Sequence, residues 1–384
     1  GGARGERVSQ LSGNLEGLVQ TASDSLVTFG NGGLILTSAD AGAHWRTAKN
    51  GLDLYLRDVA TLPQADAVVA TGQLGDIIRS GDGIDWQPAA IEYPDERTPP
   101  DLRAMTHSIS GDAMIVAGPP GAILRSSATG DHWSLLRWSP LEAGRAYPWI
   151  LTDRSRNVLV TVDAHGAMQV SDDDGVEWRE IDSQTTGEFW HGAVLERAGV
   201  MIIAGKSGTV ARSEDSGARW SQVAAGTDAD LFGSYADETS GSFFLLGQNG
   251  VLLRSVDSGR TWQSIQSGTQ NPLRRMVRDS RSGALIAFGG QGAIVRSEDD
   301  GAHWQSVDSG VDAELRKAIV EPGSGSIVIA GRSGVILRSA DGGKSWERLP
   351  AHTTRNLTSI TARSNGDLIA VGERIVHLRR QTTP

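Results

Sequence analysis

Ser38-Ala39-Asp40-Ala41-Gly42-Ala43-His44-Trp45 decides the fold, because its frame SxDxGxxW returns with its last residue at Trp178, Trp220, Trp262, Trp304 and Trp346. Two degenerate copies end at Trp86, with one residue missing between Asp82 and Gly83, and at Trp133, where Ala128 takes the Asp position. Successive Trp separations are 41, 47, 45, 42, 42, 42 and 42 residues. A chain built on a fixed period of this size stacks one supersecondary unit against the next. Within each unit the apolar runs are short, rich in Val, Ile and Leu, and bounded by Gly or Asp-Gly, as in LRRMVRD, ALIAFGG, GAIVRS and WQSVDSG. That pattern reads as four antiparallel strands. No stretch sustains helical periodicity.

Four-stranded units of 40 to 45 residues repeated around a ring predict an all-β, single closed β-propeller spanning residues 1–384. Innermost strands are expected near Asn14–Thr21, Leu56–Thr61, Leu102–Thr106, Trp149–Asp153, Trp190–Leu195, Leu231–Ala236, Arg274–Asp279, Leu315–Val320 and Leu357–Thr361. These make nine blades, with eight plus an irregular end as the alternative. The last set stops after its third strand, IVHLRR, and Arg7-Val8-Ser9-Gln10-Leu11-Ser12-Gly13 matches the fourth-strand segment Arg219–Gly226 with Val8 in the Trp position. Residues 6–13 are therefore expected to complete the last blade and close the ring.

Composition agrees with a turn-rich folded protein. Gly contributes 48 of 384 residues, while the hydrophobic share of 39% and the charged share of 21% are ordinary. A net charge of −10 opposes general binding to nucleic acid or anionic membrane, which requires clustered cations. No apolar run approaches the ~20 residues of a membrane helix, so direct membrane insertion is not expected. The chain starts Gly1-Gly2-Ala3-Arg4 without a hydrophobic signal core, which fits a processed export product or a cytosolic protein. With no Cys, disulfides and thiolate chemistry are excluded.

The turns resemble the Asp-box, or bacterial neuraminidase (BNR) repeat, and their density resembles the photosystem II stability and assembly factor family and its non-photosynthetic bacterial relatives. The physics of the turn is local: Asp215 can accept backbone N–H groups, Gly217 supplies positive φ, and Trp220 packs on the sheet. Burying one such ring is worth at most about 4–6 kcal/mol. The resemblance implies a non-catalytic protein-binding assembly factor without cofactor or metal, accessory to a membrane-protein complex. It further implies a periplasmic or otherwise exported location, with exporters of the resistance-nodulation-division type among the partners. Because this fold hosts many functions, two alternatives stay open: a divergent sialidase-like glycoside hydrolase and a propeller holding a small amphipathic ligand. For the hydrolase, the Arg-Ile-Pro string of sialidases is absent and only Tyr55, Tyr93, Tyr147 and Tyr235 could serve as a Tyr nucleophile. The eight histidines show no HxH or HExxH spacing, so a zinc site would have to be assembled across blades.

Function in a repeat protein is expected where copies differ on one face. Counting back about 18 residues from the Gly opening each third strand gives Leu15, Arg57, Arg103, Trp149, Trp190, Phe232, Arg274, Arg316 and Leu357. Three successive units offer aromatics and the two on either side offer Arg. The same face should carry the GxxG hairpins and two long loops, Ile91–Pro100 and Trp138–Pro148, which bring Tyr93, Trp138 and Tyr147. The expected partner-binding surface is thus Trp149, Trp190 and Phe232 flanked by Arg57, Arg103, Arg274 and Arg316, the composition of a protein-interface hot spot. It suits equally an anion with an apolar part.

Overall fold

The computed structural model describes residues 5–7, 14–21, 24–48, 55–92, 100–118, 121–137, 149–163 and 166–379. They form an all-β propeller of nine blades. Their inner strands are Leu15–Gln20, Leu56–Leu62, Ala104–His107, Trp149–Asp153, Phe189–Leu195, Leu231–Asp237, Leu273–Arg278, Leu315–Val320 and Leu357–Ala362, numbered here as blades one to nine. Blade seven shows the common plan: Leu273–Arg278, Leu285–Gly289, Ile294–Ser297 and Gln305–Ser306 pair in chain order, each antiparallel to the next. Its second strand, LIAFG, is buried at every position, as is the second strand of blade eight, IVIAG. Both faces of such a strand lie against apolar side chains, which is why the sequence runs Val, Ile, Leu and Phe without alternation. The two-residue outer strand is exposed.

Two blades depart from the plan. In blade nine the fourth strand is Gly5–Arg7, antiparallel to Val376–Leu378 with Gly5 opposite Leu378 and Arg7 opposite Val376. The segment expected over 6–13 thus pairs through residues 5–7; residues 8–13 lie outside the described ones. Blade three carries a fifth strand, Ala90–Glu92, running parallel to His132–Arg137. Among the described residues no helix is long and apolar enough to cross a membrane.

The chain divides into two compact units, residues 19–203 with 209–223, and residues 1–18, 204–208 and 224–384. The first contains blades two to four whole, the second blades six to nine. In the second, Phe244, Leu273, Leu285, Val295 and Trp304 belong to one buried cluster, and Ile286, Phe288, Leu315, Ile329 and Leu337 to the next. In this unit the second strands of blades six to eight therefore pack on their neighbours.

The SxDxGxxW turns show why the motif recurs. In blade five the Ser213 hydroxyl donates to Asp215 (3.0 Å), and the Asp215 carboxylate accepts the Arg219 N–H (2.8 Å). The Gly217 N–H donates to the Ser213 hydroxyl (2.8 Å), and the Trp220 indole N–H donates to the Gly217 carbonyl (3.0 Å). Blade three preserves this with a substitute: where Ala128 replaces the Asp, Asp131 accepts from Ser127 (2.8 Å). A second tie joins neighbouring blades. The third-strand arginines Arg125 and Arg296 donate to the carbonyls of Asp174 (3.5 Å) and Gly342 (2.6 Å) in the following turn.

Candidate functional site

Four GxxG hairpins, and the corresponding Gly372–Ile375 turn of blade nine, are tied by their backbone to the start of their own inner strand. The N–H groups of Gln248, Gly290, Arg332 and Glu373 donate to the carbonyls of Asp230, Pro272, Glu314 and Asn356 at 2.8, 2.8, 2.8 and 2.9 Å. The Gln73 N–H does the same to Tyr55 (3.0 Å). Hairpins and strand starts therefore share one end of the blade, as the connectivity predicts. The strand start is bulged: pairing skips between Leu56 and Asp58, Leu231 and Gly233, Leu273 and Arg275, Leu315 and Lys317, and Leu357 and Ser359. The extra residue is Arg57, Phe232, Arg274, Arg316 or Thr358. A bulge re-aims one side chain without disturbing the register beyond it, so this position can vary while the core leucine before it cannot. This corrects two positions of the sequence reading. Leu15 and Leu357 are the buried leucines, and the residues in register with the arginines are Glu16 and Thr358.

In the unit of residues 1–18, 204–208 and 224–384, three guanidiniums converge on one carboxylate. Arg274 Nε lies 3.4 Å from Glu314 Oε1, while Arg316 Nη2 and Arg332 Nε lie 3.4 and 2.6 Å from Glu314 Oε2. The Arg274 guanidinium also sits 4.4 Å from the centre of the Phe232 ring, a cation–π stack between blades six and seven. Beside these come Arg275 and Lys317, both exposed. Arg275 donates to the Arg274 carbonyl (3.1 Å). The protein around it and the Arg274 charge hold its guanidinium below the ordinary Arg value. Three cations thus meet at Glu314, and the exposed Arg275 and Lys317 follow Arg274 and Arg316 in the chain, inside a protein whose net charge is −10. Arg275, Lys317, Arg332 and Glu314 escaped the sequence reading. The signal available was the doublet after the core leucine, Leu273-Arg274-Arg275 and Leu315-Arg316-Lys317, with an acid two residues before the second arginine.

In the unit of residues 19–203 and 209–223, Asp101 plays the part of Glu314. Arg57 reaches it at 3.4 Å, and Arg103 Nε donates to it at 2.8 Å. Arg57 lies 4.9 Å from the Tyr55 ring centre. The two tryptophans separate. Trp190 is 39% exposed. Trp149 is half-buried against Leu151, Val160, Val162, Phe189 and Met201, so this ring belongs partly to the core. Tyr93, Trp138 and Tyr147 lie outside the described residues. Asp58, the residue after the bulge, accepts the Val59 N–H (2.9 Å), and burial pushes its carboxyl up to about 6. Among the described residues no group of three His, Asp or Glu could hold a metal ion.

The sequence pattern of the family described as photosynthesis system II assembly factor YCF48 matches residues 37–200, 194–311 and 256–356. This chain belongs to that family. Among solved structures it is similar to YCF48 from Cyanidioschyzon merolae, at 18% identity and a TM-score of 0.51, with 84% of this chain and 95% of that one covered. It is also similar to YCF48 bound to D1 peptide, at 15% identity and a TM-score of 0.50, with 85% and 92% covered. A computationally designed protein, Ika8, aligns at 11% identity and a TM-score of 0.60 over 97% and 98%. At these identities the likenesses show the fold. No curated protein matches the chain.

Proposed function

We propose that this member of the YCF48 family is a non-catalytic, protein-binding assembly factor whose principal contact lies at the strand starts of blades six to eight. Phe232, Arg274, Arg275, Arg316, Lys317 and Arg332 form it. The observation that carries the proposal is the excess of cations: three guanidiniums share Glu314, while Arg275 and Lys317 stand exposed beside them. Guanidiniums pair bidentately with carboxylates and Phe232 offers an apolar face, so the matching ligand is a client segment carrying acids beside an apolar side chain. One structure of a relative is YCF48 bound to D1 peptide, which supports a polypeptide ligand. The proposal extends to a client in a membrane-protein complex, exporters of the resistance-nodulation-division type included, and to a periplasmic or otherwise exported location. Arg57, Arg103 and Trp190 are proposed as further contacts on the other unit.

The test is capture of the client from native membranes. Arg275→Ala with Lys317→Ala, both at exposed positions, should leave the melting curve nearly unchanged, as surface substitutions do within about 0.5 kcal/mol. Capture should be lost, and capture by the unaltered chain should weaken as salt rises. Undiminished capture by the double variant would remove the assigned contact.

A further inference from the structure

The second residue inside the GxxG hairpin is left-handed wherever the hairpin closes on a three-residue turn. At that position stand Gly32, Ser207, Asn249, Gln291 and Ser333, with φ of 67, 50, 56, 51 and 55°. In blade two it is Leu74, at φ 57°, ψ 27°. Left-handed backbone disfavours every residue with a Cβ, and a bulky apolar residue there is an outlier. Leu74 is not compensated by packing, since it is 56% exposed. Nor can the hairpin relax. The Gly72 N–H donates to the Asp76 carbonyl (2.9 Å), the Gln73 N–H to Tyr55 (3.0 Å), and the Leu102 N–H to the Gly72 carbonyl (3.1 Å). A Cβ on Gly72 would come 2.9 Å from the Tyr55 carbonyl oxygen, so the mount is close-fitting. The bonded backbone therefore fixes the point from which a large apolar side chain enters solvent, at a position where Gly or Asn would be less strained. The hairpin is bonded through its backbone to Tyr55, over whose ring Arg57 lies, and to Leu102, whose chain neighbours Asp101 and Arg103 join Arg57 in one ion-pair cluster.

We propose that Leu74 is a preformed docking knob, which enters an apolar pocket of a protein partner bordered by carboxylates that pair with Arg57 and Arg103. A strained residue that its own core does not use is best explained by use elsewhere. Tyr and Arg around one buried anchor form the composition of an interface hot spot. The rigid mounting means that no side of the hairpin has to be ordered on binding. A folded pocket is favoured over a membrane surface because Arg57 and Arg103 share a single carboxylate, which leaves one cation in excess to meet a discrete carboxylate, while the net charge of −10 opposes an anionic bilayer. This inference rests on the reading that the chain binds a protein client, and adds a second, separate contact to it.

The experiment uses the full chain and the client captured by it, identified by mass spectrometry and then purified. Leu74→Gly and Leu74→Asn should melt at or above the unaltered chain, because each relieves the left-handed position. Both should weaken client affinity about tenfold or more, the scale of one hot-spot side chain. Val176→Ala, which trims another exposed apolar residue, should change neither. Unchanged affinity in both Leu74 variants, or a lower melting temperature in both, would overturn the docking role. If Arg275→Ala with Lys317→Ala loses the client while the Leu74 variants keep it, the knob alone falls. If the Leu74 variants lose it and the arginine-lysine variant does not, the knob stands and the contact on blades six to eight falls. Failure of the unaltered chain to capture any protein, or weaker binding to phosphatidylglycerol vesicles in place of a client loss, would overturn the proposal.

Discussion

Gly301 shows how much one residue of the repeat carries. Its φ is +83°, and a Cβ there would come 2.4 Å from two ring carbons of Phe244 in the preceding blade. Gly310 also has positive φ, +66°, but nothing lies within 4 Å. Gly310→Ala should therefore cost only the left-handed penalty, about 1–2 kcal/mol. Gly301→Ala adds the displacement of a buried ring, so its cost should exceed that of Gly310→Ala by about 1–3 kcal/mol in denaturant titration. Equal losses would show that the ring gives way freely. Asp58 makes a prediction about pH. Burial raises its carboxyl in the folded chain to about 6, above the value of 3.8 for a free side chain. Between those values the unfolded chain releases a proton that the folded chain keeps, so this group's contribution to stability declines as pH rises from about 4 to 6 and stays low above. Asp58→Asn should accordingly stabilise the protein at pH 7 relative to the unaltered chain, with the difference disappearing near pH 4. A difference independent of pH would reject the titration and leave only a packing effect. The left-handed glycine was legible in the motif, because the turn bonds only its own neighbours. The raised carboxyl was not, because it depends on what the next inner strand lays over it.

At the scale of elements, the strand-turn-strand units follow from residues within one period. In the turn of blade five Ser213, Asp215, Gly217 and Trp220 satisfy one another, so the fourth strand's start is set by side chains at most seven positions apart. Blade nine lacks such a turn and takes its outer strand from the other end of the chain, Gly5–Arg7. Deleting residues 1–7 should leave Val376–Leu378 as an unpaired sheet edge, lower the melting temperature, and promote association between molecules. Light scattering after mild heating would report the association, and a deletion that melts and scatters like the full chain would show that the pairing contributes nothing. The parallel fifth strand of blade three, Ala90–Glu92, was not legible. Its three residues resemble the rest of an irregular connection, and only the presence of a six-residue partner strand, His132–Arg137, gives them a ladder to join.

Across the whole molecule, an acidic chain presents a local cluster of positive charge. Arg274, Arg316 and Arg332 meet at Glu314, with Arg275 and Lys317 exposed next to them in the chain, and the same device recurs with Arg57 and Arg103 on Asp101. By itself the sequence determined the class of fold, the period, the turn chemistry and the face on which copies differ, and it narrowed the blade count to nine or eight, of which the strand pairing gives nine. Every one of these rests on contacts inside a repeat, or on the same contact made again one repeat later. Which arginines are neutralised and which stand open, that Trp149 sinks partly into the core while Trp190 does not, and that Leu74 is held out in solvent were decided only by tertiary structure. Arg57 and Asp101 are 44 residues apart, and whether such charges meet depends on the bulge that re-aims one side chain and on the neighbouring blade that supplies the carboxylate. Those are matters of distance across packed strands, to which a linear pattern is blind.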